Sequence, residues 1–130
     1  MGVPETGQQG ARDLYRAATR SEGSVFEIAE DVARNLAAAC DRLVDDLQRA
    51  HGAELRVADL TGFPNLPSGR ALTRGFAGKS REFLDTITAY QQTALLFKAA
   101  YLAAGKRFDD AEAANRAAVE LLAVRSGDHL

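Results

Sequence analysis

The residues able to do chemistry are few and scattered. Gly75-Phe76-Ala77-Gly78-Lys79-Ser80 ends in the Gly-Lys-Ser that closes a phosphate-binding loop, where backbone N–H groups cradle phosphates and the Lys reaches them. That motif needs a Gly five positions before Gly78, where Thr73 stands, and a preceding strand, which nothing upstream supplies. A glycine-softened helix start accounts for the segment. Asp45 with Asp46, and Asp109 with Asp110, are adjacent, so on a helix their carboxylates diverge rather than share a proton. Glu27 and Glu30 are spaced to share a face, but no Glu-x-x-His pair exists to complete a di-iron site. Cys40 is the only cysteine, which excludes an internal disulfide and argues against a cysteine-based metal site; a buried thiol on the apolar side of a helix is expected. His51 and His129 fall near a helix end and the chain end, where solvated or capping roles are expected. No nucleophile, base and orienting group can be assembled, so the expectation is a protein that is not an enzyme and uses no cofactor.

One spacing is more informative. Phe108 and Glu112 are four apart and therefore neighbours on one helix face, an aromatic beside a carboxylate. Such a pair reads either as a seam residue next to a solvated edge or as a presented recognition pair.

Composition narrows the classes. The 130 residues make one domain, and 46% are hydrophobic while only 7% are aromatic, which favours slender, close-packed, Ala-rich helices. The net charge of −2 is spread over mixed signs, so neither a nucleic-acid face nor a polybasic membrane patch is announced. Nothing approaches the ~18 continuous apolar residues of an integral membrane segment, and no cationic start leads into an apolar core as in a signal peptide. Met1-Gly2-Val3-Pro4-Glu5-Thr6 fits the loose myristoylation pattern and is taken as part of a flexible tail.

These residues must be placed by helices. Residues 1 to 9 are Gly-rich and polar and are expected to stay flexible, with a short helix from Gln9 to Thr19. Ser24-Val25-Phe26-Glu27 is a capping box, and Val25, Ile28, Val32, Leu36, Cys40, Leu43, Leu47 and Ala50 follow at spacings of three and four. Gly52 is a natural stop, although Ala53 to Val57 could prolong the helix or begin a loop. Gly62, Pro64 and Pro67 then impose a connection. Beyond Ser68 a continuous or gently kinked helix is expected to about Val124, its seam running Phe83, Ile87, Tyr90, Ala94, Phe97, Tyr101, Ala104, Phe108, Ala111, Asn115, Ala118 and Leu122.

From Phe83 to Leu122 this rod would be roughly 60 Å long, against roughly 42 Å for the first long helix. The C-terminal half of the rod should then overhang, so that Tyr101, Phe108, Ala111, Asn115 and Leu122 become the candidate partner-binding residues, with Asn115 setting register. The fold expected is all-α: a long antiparallel helical hairpin over residues 24–126, preceded by a flexible tail and short helix over 1–23, pairing into a four-helix bundle with a helical protein partner or as a homodimer.

This layout resembles the Trp-x-Gly helical-hairpin family of type VII (ESX) secretion substrates and its divergent actinobacterial relatives. Pro67-Ser68-Gly69 occupies the turn in place of Trp-x-Gly, Ala71 and Phe76 follow where family members carry a small residue and then an aromatic, and Phe108 with Glu112 stands where the family carries its aromatic-x-x-x-acidic export motif. The chain has no Trp, and Phe108 replaces the usual Tyr. The resemblance implies a non-catalytic interaction protein, secreted without a signal peptide together with a helical partner, its Phe108 and Glu112 shown to a secretion ATPase. The alternative it leaves open is a cytoplasmic adaptor or chaperone holding a toxin or effector.

Overall fold

The computed structural model describes residues 3–20, 23, 25–58 and 66–127. Four helices make up the described fold: α1 (Gln8–Thr19), α2 (Glu30–Ala58), α3 (Pro67–Ala104) and α4 (Phe108–Gly127). The protein is all-α, as expected. Its hub is α3. Each of α1, α2 and α4 packs on α3, and no two of the outer three approach one another through their backbones. Gly7 beside Thr93 and Ala18 packed with Ala103 set α1 parallel to α3, whereas Asp41 with Lys98 and Gln48 with Gln91 set α2, and Ala111 packed with Ala104 and Arg125 with Thr88 set α4, antiparallel to it.

The expected rod is broken. The chain leaves α3 at Gly105, passes through Lys106 with φ 65°, and starts α4 at Phe108. The Arg107 N–H donates to the Leu102 carbonyl at 2.8 Å and the Lys106 N–H to the Ala103 carbonyl at 2.9 Å, a Schellman pair that satisfies the last carbonyls of α3. Gly105 is required by packing, because a Cβ there would lie 2.4 Å from the Ala33 Cβ of α2. Asp109 and Asp110 in the first turn of α4 suit its positive end. Arg107 ties the corner together: its Nη1 donates to Glu30 Oε1 at 2.9 Å and its Nε to Asp110 Oδ2 at 2.8 Å. Hydrogen bonds to Asp110 and then to Glu30 strengthen its hold on the proton. The C-terminal overhang therefore does not exist, since α4 folds back along α3.

The start of α2 also differs from expectation. Ser24 lies outside the described residues, but Glu27 and Ile28 precede the helix, so the capping box does not open it, and Glu27 and Glu30 do not share a helical face. Residues 26–29 instead run along the end of α3, where the Ile28 N–H donates to the Ala104 carbonyl at 3.1 Å and Phe26 meets Tyr101 edge-on. At its other end α2 continues past Gly52 to Ala58. The remainder of the connection, including Gly62, Phe63 and Pro64, is outside the described residues, as is His129.

The N-terminal segment is fastened rather than loose. Thr6 Oγ1 and Thr93 Oγ1 are 2.8 Å apart, and Gln8 Nε2 donates to the Pro4 carbonyl at 2.9 Å and to Gln92 Oε1 at 3.3 Å. Glu5 Oε1 accepts from the Gly7 and Gln9 N–H groups, both at 3.2 Å, satisfying two orphan donors of α1. Wholly buried Ala11 and buried Ala18 then seat α1 on α3. Residues 4–19 thus belong to the same packed unit as the hairpin.

The core is built from small residues. Ala33 and Ala37 of α2, Ala99, Ala100, Ala103 and Ala104 of α3, and Ala111, Ala114 and Ala118 of α4 are all buried. Without long side chains at the contacts, helices approach closely, which is the geometry expected of an Ala-rich, aromatic-poor composition.

Candidate functional site

Burial changes sharply along α3. Leu84, Ile87, Gln91 and Ala94 are buried on the side facing α2, but Phe83 and Tyr90, which the seam also contained, are 51% and 48% exposed. The true contact line is turned by about half a residue step from the expected one. On α2 it runs Ala33, Leu36, Ala37, Cys40, Val44, Leu47 and His51, again at threes and fours, while Val32 and Leu43 are exposed. Two equally good three-four patterns overlap on each helix, and the one with small side chains allows the closer approach.

A second apolar line follows the surface of α3. Leu72, Phe76, Phe83 and Tyr90 are all exposed and recur at intervals of four and seven, so they lie in one line along α3 for roughly 27 Å. Lys79 and Thr86 complete the heptad positions between them. Further along the same line Phe97 stacks on Tyr101 at 6.0 Å, and Tyr101 meets Phe26 at 6.5 Å, so there the stripe is covered from within the chain. Coverage by α1 and its leading segment begins near Thr93. Pairings of α2 with α3 fall from Gly105 opposite Ala33 back to Gln91 opposite Gln48, so the first four turns of α3 extend past the last described turn of α2.

On the far side of that projecting arm lie Arg70, Arg74 and Arg81, with no acidic residue between Leu66 and Arg81. Gly75 and Gly78 are inside the arm, and a Cβ at either would meet nothing within 4 Å. The Gly75 to Ser80 segment is thus continuous helix, and Ser80 is buried, so it forms no phosphate cradle.

The other candidate residues are placed as follows. Phe108 is the first residue of α4 and 49% exposed; Glu112 is exposed one turn later, so the pair stands together on the surface. Pro67, Ser68 and Gly69 form the first turn of α3, Pro67 at a position where its missing N–H costs nothing. Of the partner-binding candidates, Ala111 is wholly buried against α3 and Tyr101 is packed with Phe26 and Phe97, so neither offers a free surface. Asn115 and Leu122 are half-buried. Asn115 lines an open groove between α1 and α4 with Arg12, Tyr15, Leu96 and Val119, which is why the apolar series lapses there.

Two features escaped sequence reasoning. His51 is buried in α2 rather than solvated, because α2 does not stop at Gly52. A polar crossbar joins three helices: Gln91 Nε2 donates to Gln48 Oε1 at 3.1 Å and to the Val44 carbonyl at 3.2 Å, and Arg125 donates to the same Gln48 Oε1 at 2.6 Å and to Thr88 Oγ1 at 3.0 Å. The sequence signal for it was Gln91 at helical spacing between apolar Ile87 and Ala94. Cys40 is half-buried, and burial first, then the charge of Asp41, raises its thiol pKa, which Lys98 partly offsets.

Among the described residues no helix is long and apolar enough to cross a membrane, and no group of three metal-ligating side chains gathers. Asp46 pairs with Arg49 and Asp110 with Arg107, so each adjacent carboxylate pair is divided between an ion pair and solvent. No protein-family model, curated protein or solved structure matches this chain.

Proposed function

We propose that this chain is a non-catalytic helical docking protein of a type VII secretion system, exported with a helical partner. The observation that carries the docking part is the exposed line of Leu72, Phe83 and Tyr90 along one side of α3. Large apolar side chains at heptad spacing are what a partner helix packs against. The non-catalytic part is supported by the paired, solvated state of the carboxylates and by the helical, not looped, Gly75 to Ser80 segment.

The secretion part rests on the resemblance carried by Pro67-Ser68-Gly69 and by Phe108 with Glu112. Its support is that the Phe108 ring and the Glu112 carboxylate stand exposed on one face at the start of α4, where a receptor's apolar pocket and basic group reach both at once. Phe108→Ala with Glu112→Ala, expressed in the native host, tests this: the protein should vanish from culture filtrate and accumulate in the lysate. Normal export of a folded double variant refutes the signal. Retention of the unaltered protein in the lysate, still bound to a secreted effector, instead assigns it as the cytoplasmic adaptor. Docking is tested separately by Phe83→Glu, which should abolish recovery of the partner by affinity capture while leaving helicity unchanged.

A further inference from the structure

We infer that the groove between α1 and α4 binds a compact apolar monocarboxylate, its acid group held beside Arg12. The site is separate from Phe108 and Glu112 and stands whether or not the chain is exported. The groove encloses about 340 Å³, at the lower end of small-molecule pockets, which run from roughly 300 to 1,000 Å³. Its floor is Leu96 of α3 with Ala11 and Ala118, buried together from the two outer helices. Gln92 closes one end, where its Oε1 accepts from Gln8 Nε2 at 3.3 Å.

The walls differ along their length. Gly7 beside Thr93 and Ala18 packed with Ala103 set Arg12, Tyr15 and Arg16 opposite the stretch of α3 that follows Leu96, and Arg125 beside Thr88 sets Asn115 opposite the same stretch. Polar side chains thus gather at one end, and Ala11, Leu96, Ala118 and Val119 at the other. Among the described residues Arg12 meets no carboxylate, and neither the Tyr15 hydroxyl nor the Asn115 amide meets a protein donor or acceptor. Arg16 is held by Asp13 at 3.0 Å, and no Asp or Glu lines the groove. A carboxylate placed there takes a charge-assisted bond from the Arg12 guanidinium and further bonds from Tyr15 and Asn115. The groove between α2 and α4 has no such vacancy, because its cations Arg34, Lys98 and Arg107 each stand beside a carboxylate of this chain. Val119, 67% exposed, gains cover from the ligand body. The lining covers residues 11–16, 92–96 and 115–119, about 6–8 Å of each helix, which one ring with a short acid arm fills and a long acyl chain overruns.

Titration of the full chain with 3-phenylpropanoate, followed by calorimetry and by backbone amide shifts, tests the site. Binding should saturate with a Kd on the order of 1 mM or tighter, the affinity expected of about eleven non-hydrogen atoms. Amide shifts should be confined to residues 11–16, 92–96 and 115–119. The uncharged 3-phenylpropanamide should bind about tenfold more weakly. Arg12→Gln should weaken the acid by about tenfold and leave the amide as it was, with an unchanged circular dichroism spectrum because Arg12 is exposed. Val119→Glu, also at an exposed position, should abolish binding of the acid by setting a like charge in the groove.

Absence of saturable binding to the folded chain overturns the site. Equal affinity for acid and amide, or an Arg12→Gln loss shared by both, overturns it as well, since the guanidinium then reads no carboxylate. Shifts centred on Arg74 and Arg81 mark general attraction of an anion to the basic arm and dismiss the groove. If Val119→Glu leaves the affinity unchanged, the ligand body lies elsewhere and the assignment falls. Decanoate binding more than about tenfold tighter than 3-phenylpropanoate replaces the compact class with an acyl chain.

Discussion

The two halves of α3 have nearly the same helical character and very different surroundings. From Leu84 to Ala104 the helix is wrapped by α1, α2 and α4, and most of its residues are buried. From Pro67 to Phe83 only Gly69 and Ser80 are buried, and leucine and phenylalanine side chains face outward. The wrapped half is rich in Ala and the projecting half in Gly and Arg. Small residues at the contacts of the wrapped half let its neighbours approach closely, whereas the projecting half carries large apolar side chains at its surface.

The sharpest way to break this contrast is to place the same charge in both halves. Ala99→Asp, wholly buried, should cost on the order of 3–5 kcal/mol and leave the chain unfolded or close to it, because the carboxylate has no partner there. Ala77→Asp, on the exposed arm, should stay within about 0.5 kcal/mol. Chemical denaturation measures both, and equal costs would erase the distinction.

Next in size is Gly105→Ala. The new methyl must displace Ala33 or open the corner, at about 1–3 kcal/mol. Pairing it with Ala33→Gly should recover much of that loss, which identifies the close approach as the cause. In the other half, Gly78→Ala meets nothing and should raise stability by about 1 kcal/mol through helix propensity. The sign of glycine replacement thus reverses between the two regions.

The smallest effect concerns Cys40. Its thiol is held protonated by burial, so it should react slowly with iodoacetamide at neutral pH compared with the unfolded chain. For an acid whose folded pKa is raised, the native state keeps the proton longer, so stability should be flat at neutral pH and fall as pH rises past about 9. Cys40→Ala should remove that alkaline component, which pH-resolved denaturation would register.

Much of the fold was legible because helix periodicity is a local property. The existence of α1, the two long helices and their antiparallel packing followed from threes and fours and from Gly62, Pro64 and Pro67. What failed was tertiary. Phe83 and Tyr90 kept perfect spacing and still lay off the contact line, since a helix that bears two adjacent apolar lines does not say which one its neighbour prefers. The break at Gly105 was signalled by Gly105-Lys106 followed by Asp109-Asp110, a stop and an acidic first turn. The uninterrupted apolar series across it concealed both. The methyl that requires glycine at 105, that of Ala33, is 72 positions away by number and invisible to any local window. Of the candidate site, Phe108 and Glu112 stand exposed one turn apart at the start of α4, whereas Phe83 and Tyr90, placed in the seam by their spacing, lie at the surface.

The hub arrangement has a consequence for how changes combine. Because α1, α2 and α4 each lean on α3 and not on one another's backbones, an alteration in one outer helix reaches another through the hub or through side-chain bridges such as Gln48 with Arg125 and Glu30 with Arg107 and Asp110. Free-energy effects of substitutions on separate outer helices, such as Ala11→Gly with Ala37→Gly, should therefore sum, with little coupling in a double-mutant cycle. Evolution or an engineer can vary each outer helix nearly independently, provided α3 keeps its sequence of small residues.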